Sequence, residues 1–182
     1  RTVSASEVVA NGSNLFIGDR DTGGNYDGYI DEVRISDSAR YTASFTAPTV
    51  PFVNDADTIF LMHCNGTDGD AVFHDDNGLR PQYGIVGLKS AHIETSQSKF
   101  GGASLELTHS TDDYLLVDPD LADIKLHGTD DFTIETWIRT KTSNHAAACI
   151  FTQIFSNNDV PIYLGLASGV GAGRNSGGNK VV

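Results

Sequence analysis

Cationic side chains are scarce in this chain. Twelve Lys and Arg stand against 24 Asp and Glu over 182 residues, a formal net charge of −12. Nucleic-acid binding needs clustered Lys and Arg to neutralise phosphates, so that partner class is excluded. The surplus of acid is compatible with calcium, cationic surfaces or simple solubility. Cysteine is rare too, at two residues. Cys64 and Cys149 form no Cys-x-x-Cys pair, which argues against a zinc ribbon. Both lie among apolar neighbours and read as buried free thiols, with a disulfide left open. No apolar run approaches the ~20 residues of a membrane span, so no membrane span is expected. No basic-apolar leader stands at Arg1. Sustained helical periodicity is missing as well.

Catalytic signatures are equally sparse. There is no Gly-x-Ser-x-Gly nucleophile turn. Gly169 to Gly173 lacks the spacing of a phosphate-cradling loop, and no Gly-Lys-Ser/Thr occurs. The six histidines (His63, His74, His92, His109, His127 and His145) show no His-x-x-x-His spacing. The expectation is therefore a protein that is not an enzyme.

What is present is glycine, at 19 residues, with 39% hydrophobic and 20% charged side chains, a composition that folds. Short β-prone runs recur between turn signals, the pattern of a sandwich or barrel. Strands are expected at Arg1–Val9, Leu15–Gly18, Gly28–Ile35, Ile59–Cys64, Ile85–Gly87, His92–Glu94, Ala103–Leu107, Tyr114–Val117, Asp131–Thr140, Cys149–Phe155 and Ile162–Leu166. Asp37–Tyr41, capped by Asp37, and Leu121–Ile124 read as single helical turns. Gly165–Lys180 reads as a loop or a weak hairpin. Phe45–Asp57 carries Pro48 and Pro51 and reads as an extended joint, with 48–56 a linker between parts 1–47 and 57–182.

The stretch around which the chain is organised is Gly28 to Ile35. Strict alternation puts Tyr29, Asp31, Val33 and Ile35 on one face. Ile30, Glu32 and Arg34 fall on the other, where the two charged groups can be solvated. Asp31 then lies beside buried-type side chains, and its carboxylate needs a cation or several donors.

Gly28-Tyr29-Ile30-Asp31-Glu32-Val33-Arg34-Ile35-Ser36, followed by Ala39-Arg40-Tyr41 and Phe45-Thr46, resembles the closing strand of a laminin G-like, concanavalin A-like jelly roll. Asp57 to Gly69 resembles the opening strand of the same domain type. Ser98 to Leu105 and Gly128 to Ile138 continue it in the expected order. The resemblance implies an all-β fold, a two-sheet antiparallel jelly-roll sandwich. It also implies an unusual order, because the closing strand precedes the opening one. Two arrangements follow. The chain is a slice of a tandem array, 1–47 ending one sandwich and 57–182 beginning the next, or the parts close one sandwich in permuted order. The start at Arg1 and the apolar Val181-Val182 end favour the slice.

In jelly rolls of this type an Asp of the closing strand often helps hold a structural calcium. By that resemblance Asp31 is its counterpart, with Asp68, Gly69 and Asp70 as further oxygen donors. The alternative is an Asp31 held by backbone N–H groups. The paired-acid run of the related β-glucanases, Glu-x-Asp-x-x-Glu, has no match. Sugar binding is the other candidate. Thr133, Glu135, Trp137 and Arg139 share one strand face, where Trp137 could stack on a sugar ring while Glu135 and Arg139 bond its hydroxyls. The competing arrangement has Trp137 in the core and Glu135 paired with Arg139 at an edge. Tyr26 and Asn25 form a second, weaker candidate. The expected function is a non-enzymatic repeat module of an extracellular or virion adhesin or tail fibre, either glycan-binding or a spacer. The alternative is a carbohydrate-binding module attached to a secreted glycoside hydrolase or sialidase. Expected partners are a cell-surface glycan and neighbouring laminin G-like repeats. A fibre would add a homo-oligomer, which no residue pattern here encodes.

Overall fold

The computed structural model describes residues 13–19, 24–79, 83–117, 131–141, 148–155, 162–167 and 170–174. Their strands are β1 (Ser13–Ile17), β2 (Gly28–Ser36), β3 (Thr58–Met62), β4 (Ile85–Leu88), β5 (His92–Glu94) and β6 (Ser104–Leu107). After a 3-10 turn at His109–Thr111 follow β7 (Tyr114–Val117), β8 (Thr133–Thr140), β9 (Ala148–Phe155), β10 (Ile162–Ala167) and β11 (Val170–Arg174). The expected strand at Arg1–Val9 and helical turn at Leu121–Ile124 lie outside the described residues. Among the described residues no helix is long and apolar enough to cross a membrane. Within the glycine-rich stretch, β10 and β11 pair antiparallel, with Tyr163 opposite Arg174 and Ala167 opposite Val170, and the remainder to Lys180 lies outside the described residues.

The chain is all-β. Two antiparallel sheets form, a larger one ordered β11-β10-β9-β1-β7-β4 and a smaller one ordered β3-β2-β6-β5, with β8 also on β2. Alternation along each strand supplies the filling between them. Leu15, Ile17, Leu115, Val117 and Phe151 from the larger sheet meet Ile30, Val33, Ile35, Phe60, Ile93 and Leu105 from the smaller in one buried cluster. This layering is that of a β-sandwich. Strands from 13–36 pair with strands from 58–155 in both sheets: β1 lies between β7 and β9, and β2 between β8 and the β3/β6 pair.

β2 departs from strict alternation. Its register against β8 shifts between Asp31 and Arg34, and Glu32 takes φ 57, a conformation that costs an L side chain strain. This bulge keeps Ile30, Val33 and Ile35 all in the core. Asp31 is thereby separated from Val33 and Ile35, contrary to the simple two-residue period. The bulge also marks a change of neighbour, since Gly28–Ile30 pair with β6 and Val33–Ser36 with β3. The expected solvated face is a buried one: Glu32 is 1% exposed and Arg34 8%. Glu32 accepts the Phe52 N–H at 2.7 Å and meets His63 Nδ1 at 2.8 Å. Arg34 donates to Glu135 Oε2 from Nε and Nη2 at 2.8 and 2.6 Å, and its guanidinium lies over the Phe52 ring. Segment 48–56, with neither helix nor strand, is thus fastened across β2 by Phe52 and Val53.

Asp37–Tyr41 is a bend, not a helical turn. Long-range bonds take the backbone groups that a helix would use: Asp37 N–H reaches the Asp57 carbonyl, and Thr133 Oγ1 bridges Arg40 N–H and the Ser38 carbonyl. The acidic loop after β3 also has a structural use. β3 is an edge strand, and Asp75 and Asp76 cap it by accepting the Leu61 and His63 N–H groups, at 3.1 and 2.8 Å. An edge covered in this way cannot pair with another chain there.

Candidate functional site

The outer face of the smaller sheet is laid out by register. Ile30, Leu105 and Ile93 point into the core, so their neighbours in each strand point away from it. Arg139 lies opposite Tyr29, Tyr29 opposite Glu106, and Glu106 opposite His92. In the adjoining row Trp137 lies opposite Asp31, while Ser104 lies opposite Glu94. Aromatic, acidic, basic and hydroxyl side chains thus form one continuous surface.

A pocket of about 130 Å³ opens on this face between β8, β2 and the turn before β6, lined among others by Tyr29, Asp31, Gln97, Lys99, Trp137 and Arg139. The turn is Lys99-Phe100-Gly101-Gly102. Gly101 and Gly102 adopt φ 63 and 86, which glycine takes without strain, and a Cβ on Gly101 would collide with the Asn65 amide. The tight reversal presents the Lys99 and Phe100 N–H groups to Asp31 Oδ2 at 2.7 and 3.0 Å. Asp31 is 3% exposed, and its other oxygen, Oδ1, is buried with no hydrogen-bond partner. Burial, with a smaller push from the Glu32 carboxylate, raises the Asp31 carboxyl above its usual range despite the backbone amides of Phe100, Lys99 and Glu32. The Lys99 ammonium sits 4.2 Å from the Trp137 ring centre, and Phe100 meets that ring edge-on at 6.1 Å. Among the described residues Asp31 is the sole carboxylate in the lining.

The sequence-derived candidates separate into groups. Asp31, Trp137 and Arg139 come together in this pocket, although the first was selected for calcium and the others for sugar. Trp137 is half-buried and Arg139 exposed. Glu135, on the same strand face, is drawn off into the ion pair with Arg34 and a hydrogen bond from the Tyr41 hydroxyl. Tyr26 is fully buried and donates to the Tyr29 carbonyl at 3.3 Å, while Asn25 is tied to Asp112. Asp68 accepts from Thr95 N–H and Oγ1, Gly69 donates to the Ile93 carbonyl, and Asp70 accepts the Thr67 N–H. These three residues dock their loop on β5. Two backbone N–H groups, of Lys99 and Phe100, donate to Asp31 Oδ2. Both cysteines are free and buried.

Sequence reasoning missed Lys99 and Gln97, because the docking of their turn on Asp31 is a long-range contact. It also missed a cluster next to the pocket. Among the described residues one group of side chains is arranged as a metal could use them: His92, Glu94 and Glu106, all half-buried, with ligand atoms within 4.8 Å of one another. The His-x-Glu spacing of β5 was the available signal, since alternate strand residues share a face. No protein-family model, curated protein or solved structure matches the chain.

Proposed function

We propose that this chain is a non-enzymatic carbohydrate-binding β-sandwich module, displayed on an extracellular or virion surface as part of an adhesin or tail fibre. The laminin G-like pattern of Gly28 to Ser36 and Asp57 to Gly69 supports the setting. The observation that carries the reading is a pocket lined by Asp31 and Trp137, in which the Asp31 carboxylate keeps one buried oxygen, Oδ1, without a partner. An acceptor of that kind favours a ligand that brings hydroxyl donors, and an indole favours one with an apolar ring face. Arg139 and Gln97 add donors at the rim. Lys99 covers the Trp137 ring, so a sugar stacks there once the flexible lysine stem swings aside, giving up about 0.5–1 kcal/mol of cation–π attraction. A single lining carboxylate suits binding rather than glycoside hydrolysis, which generally uses two.

A glycan array probed with the intact chain, followed by calorimetry, tests this. The expected result is a restricted set of glycans whose binding falls at least tenfold, a loss of about 1.4 kcal/mol, in both Trp137→Ala and Asp31→Asn. Glycans bound equally by both variants would place the site elsewhere. An array with no signal would favour the spacer role instead.

A further inference from the structure

We infer that His92, Glu94 and Glu106 form a binding site for a divalent transition metal, of the zinc type, on the outer face of the smaller sheet. The inference is independent of the sugar reading. The strand pairing places the ligands: His92 lies directly opposite Glu106, and Glu94 follows two residues along the same face of β5. Each ligand also has its second polar atom fixed, as metal ligands generally do. His92 Nδ1 lies 2.8 Å from the Ser90 carbonyl. A carbonyl can only accept, so Nδ1 carries a hydrogen there and Nε2 is the ring atom left to act as a ligand. Glu94 Oε1 accepts the Ser96 N–H at 2.6 Å. Glu106 Oε1 is held by Lys141, whose ammonium also contacts Thr108 Oγ1 at 3.2 Å.

The remaining atoms converge. His92 Nε2 and Glu106 Oε2 are 3.2 Å apart. Bonds of ~2.0–2.2 Å at tetrahedral angles put neighbouring ligand atoms about 3.3 Å apart. The observed 3.2 Å is close to that spacing, and a Glu94 oxygen completes the group within 4.8 Å. Lys141 balances one of the two carboxylates, which leaves one negative charge for the metal to neutralise. An imidazole beside carboxylates selects zinc or a similar ion over calcium, which takes oxygen ligands alone. Three protein ligands on a half-buried face leave a fourth position for water or for an oxygen of a partner.

Calorimetric titration of the whole chain with zinc chloride, with calcium chloride as comparator, tests the site. The expected result is saturable binding of one zinc ion per chain, no competition from calcium, and a loss of more than about tenfold in affinity for His92→Ala and Glu94→Gln. Circular dichroism of the metal-free variants checks the fold. A readout that needs no variant is the His92 ring signal by NMR, expected to shift in step with zinc. Absence of saturable binding to the wild-type chain would overturn the proposal. So would a His92→Ala chain that titrates like wild type, or a His92 signal that ignores zinc.

Discussion

Asp31→Asn is the substitution most informative about the pocket. Asp31 Oδ2 accepts two backbone N–H groups, while the buried Oδ1 has no partner. Hydrogen bonds to a charged acceptor contribute ~1.5–3 kcal/mol each, and a neutral carbonyl in the same place keeps ~0.5–1.5 kcal/mol of each. An unmatched buried oxygen costs ~1–3 kcal/mol, and more when charged. The two effects are of similar size, and the direction of the Asp31 shift decides between them. Its carboxyl is raised, with desolvation the largest cause, so in the folded state burial outweighs the amide donors. A raised folded-state pKa gives stability that is fully present below the unfolded value, ~3.9, and is lost as pH rises through the folded value. Asparagine imitates the protonated form at every pH. Asp31→Asn is therefore expected to match wild type at the acid end and to be the more stable protein at pH 7, by about 1 kcal/mol. For a chain of this size that is a rise in Tm of about 2–4 °C. Urea denaturation at pH 7 and at the lowest pH at which the fold survives measures both points. The substitution should abolish glycan binding while it stabilises, the trade expected of a residue kept for function. Destabilisation at pH 7 by ~1 kcal/mol or more would refute the reasoning, since a favourably held carboxylate loses more than it gains on neutralisation. A calcium ion on Asp31 would produce that opposite sign, and a chelator would then reverse it.

Three further outcomes follow from the geometry. Glu135→Ala leaves Arg34, 8% exposed, without its carboxylate, and should cost about 3–5 kcal/mol in chemical denaturation, whereas Arg34→Met with Glu135→Leu should recover most of that. Asp75→Ala strands the Leu61, Asn77 and Tyr83 N–H groups, so a loss of roughly 3 kcal/mol is expected, with light scattering rising as the β3 edge becomes available for pairing. Burial pushes the Cys64 thiol far above its usual range, so it should resist alkylation in the native protein and react as fast as a free thiol in urea.

Much of the strand layout was legible in the sequence because it rests on local signals. Alternation sorted β8 into Phe132, Ile134, Thr136 and Ile138 on one side and Thr133, Glu135, Trp137 and Arg139 on the other; Phe132 and Ile134 do pack against the core, whereas Ile138 is exposed and lines the pocket beside Trp137 and Arg139. The continuous apolar run at β3 matches a strand buried along its whole length. The bulge was hidden, because a positive φ at Glu32 leaves no mark in a Gly-free run of β-formers. That single backbone event moved Asp31 off the core face, while segment 48–56 and Glu135 cover Glu32 and Arg34. The bend at Asp37–Tyr41 was misjudged because a local cap was weighed without Thr133, nearly a hundred residues away. For the site, Asp31, Trp137 and Arg139 were each found, but their meeting was not, since nothing local pairs β2 with β8. Glu135 was claimed by Arg34 and Tyr41, partners outside its own strand.

The most direct measurement uses the fact that the chain has one tryptophan, Trp137. Its fluorescence should change saturably as a glycan identified on the array is added, at wild-type Lys99, and the change should vanish in Asp31→Asn while the denaturation curve stays cooperative. Emission that ignores every bound glycan, or that responds identically with Asp31 replaced, would contradict a ligand pocket built from the outward turn of β2.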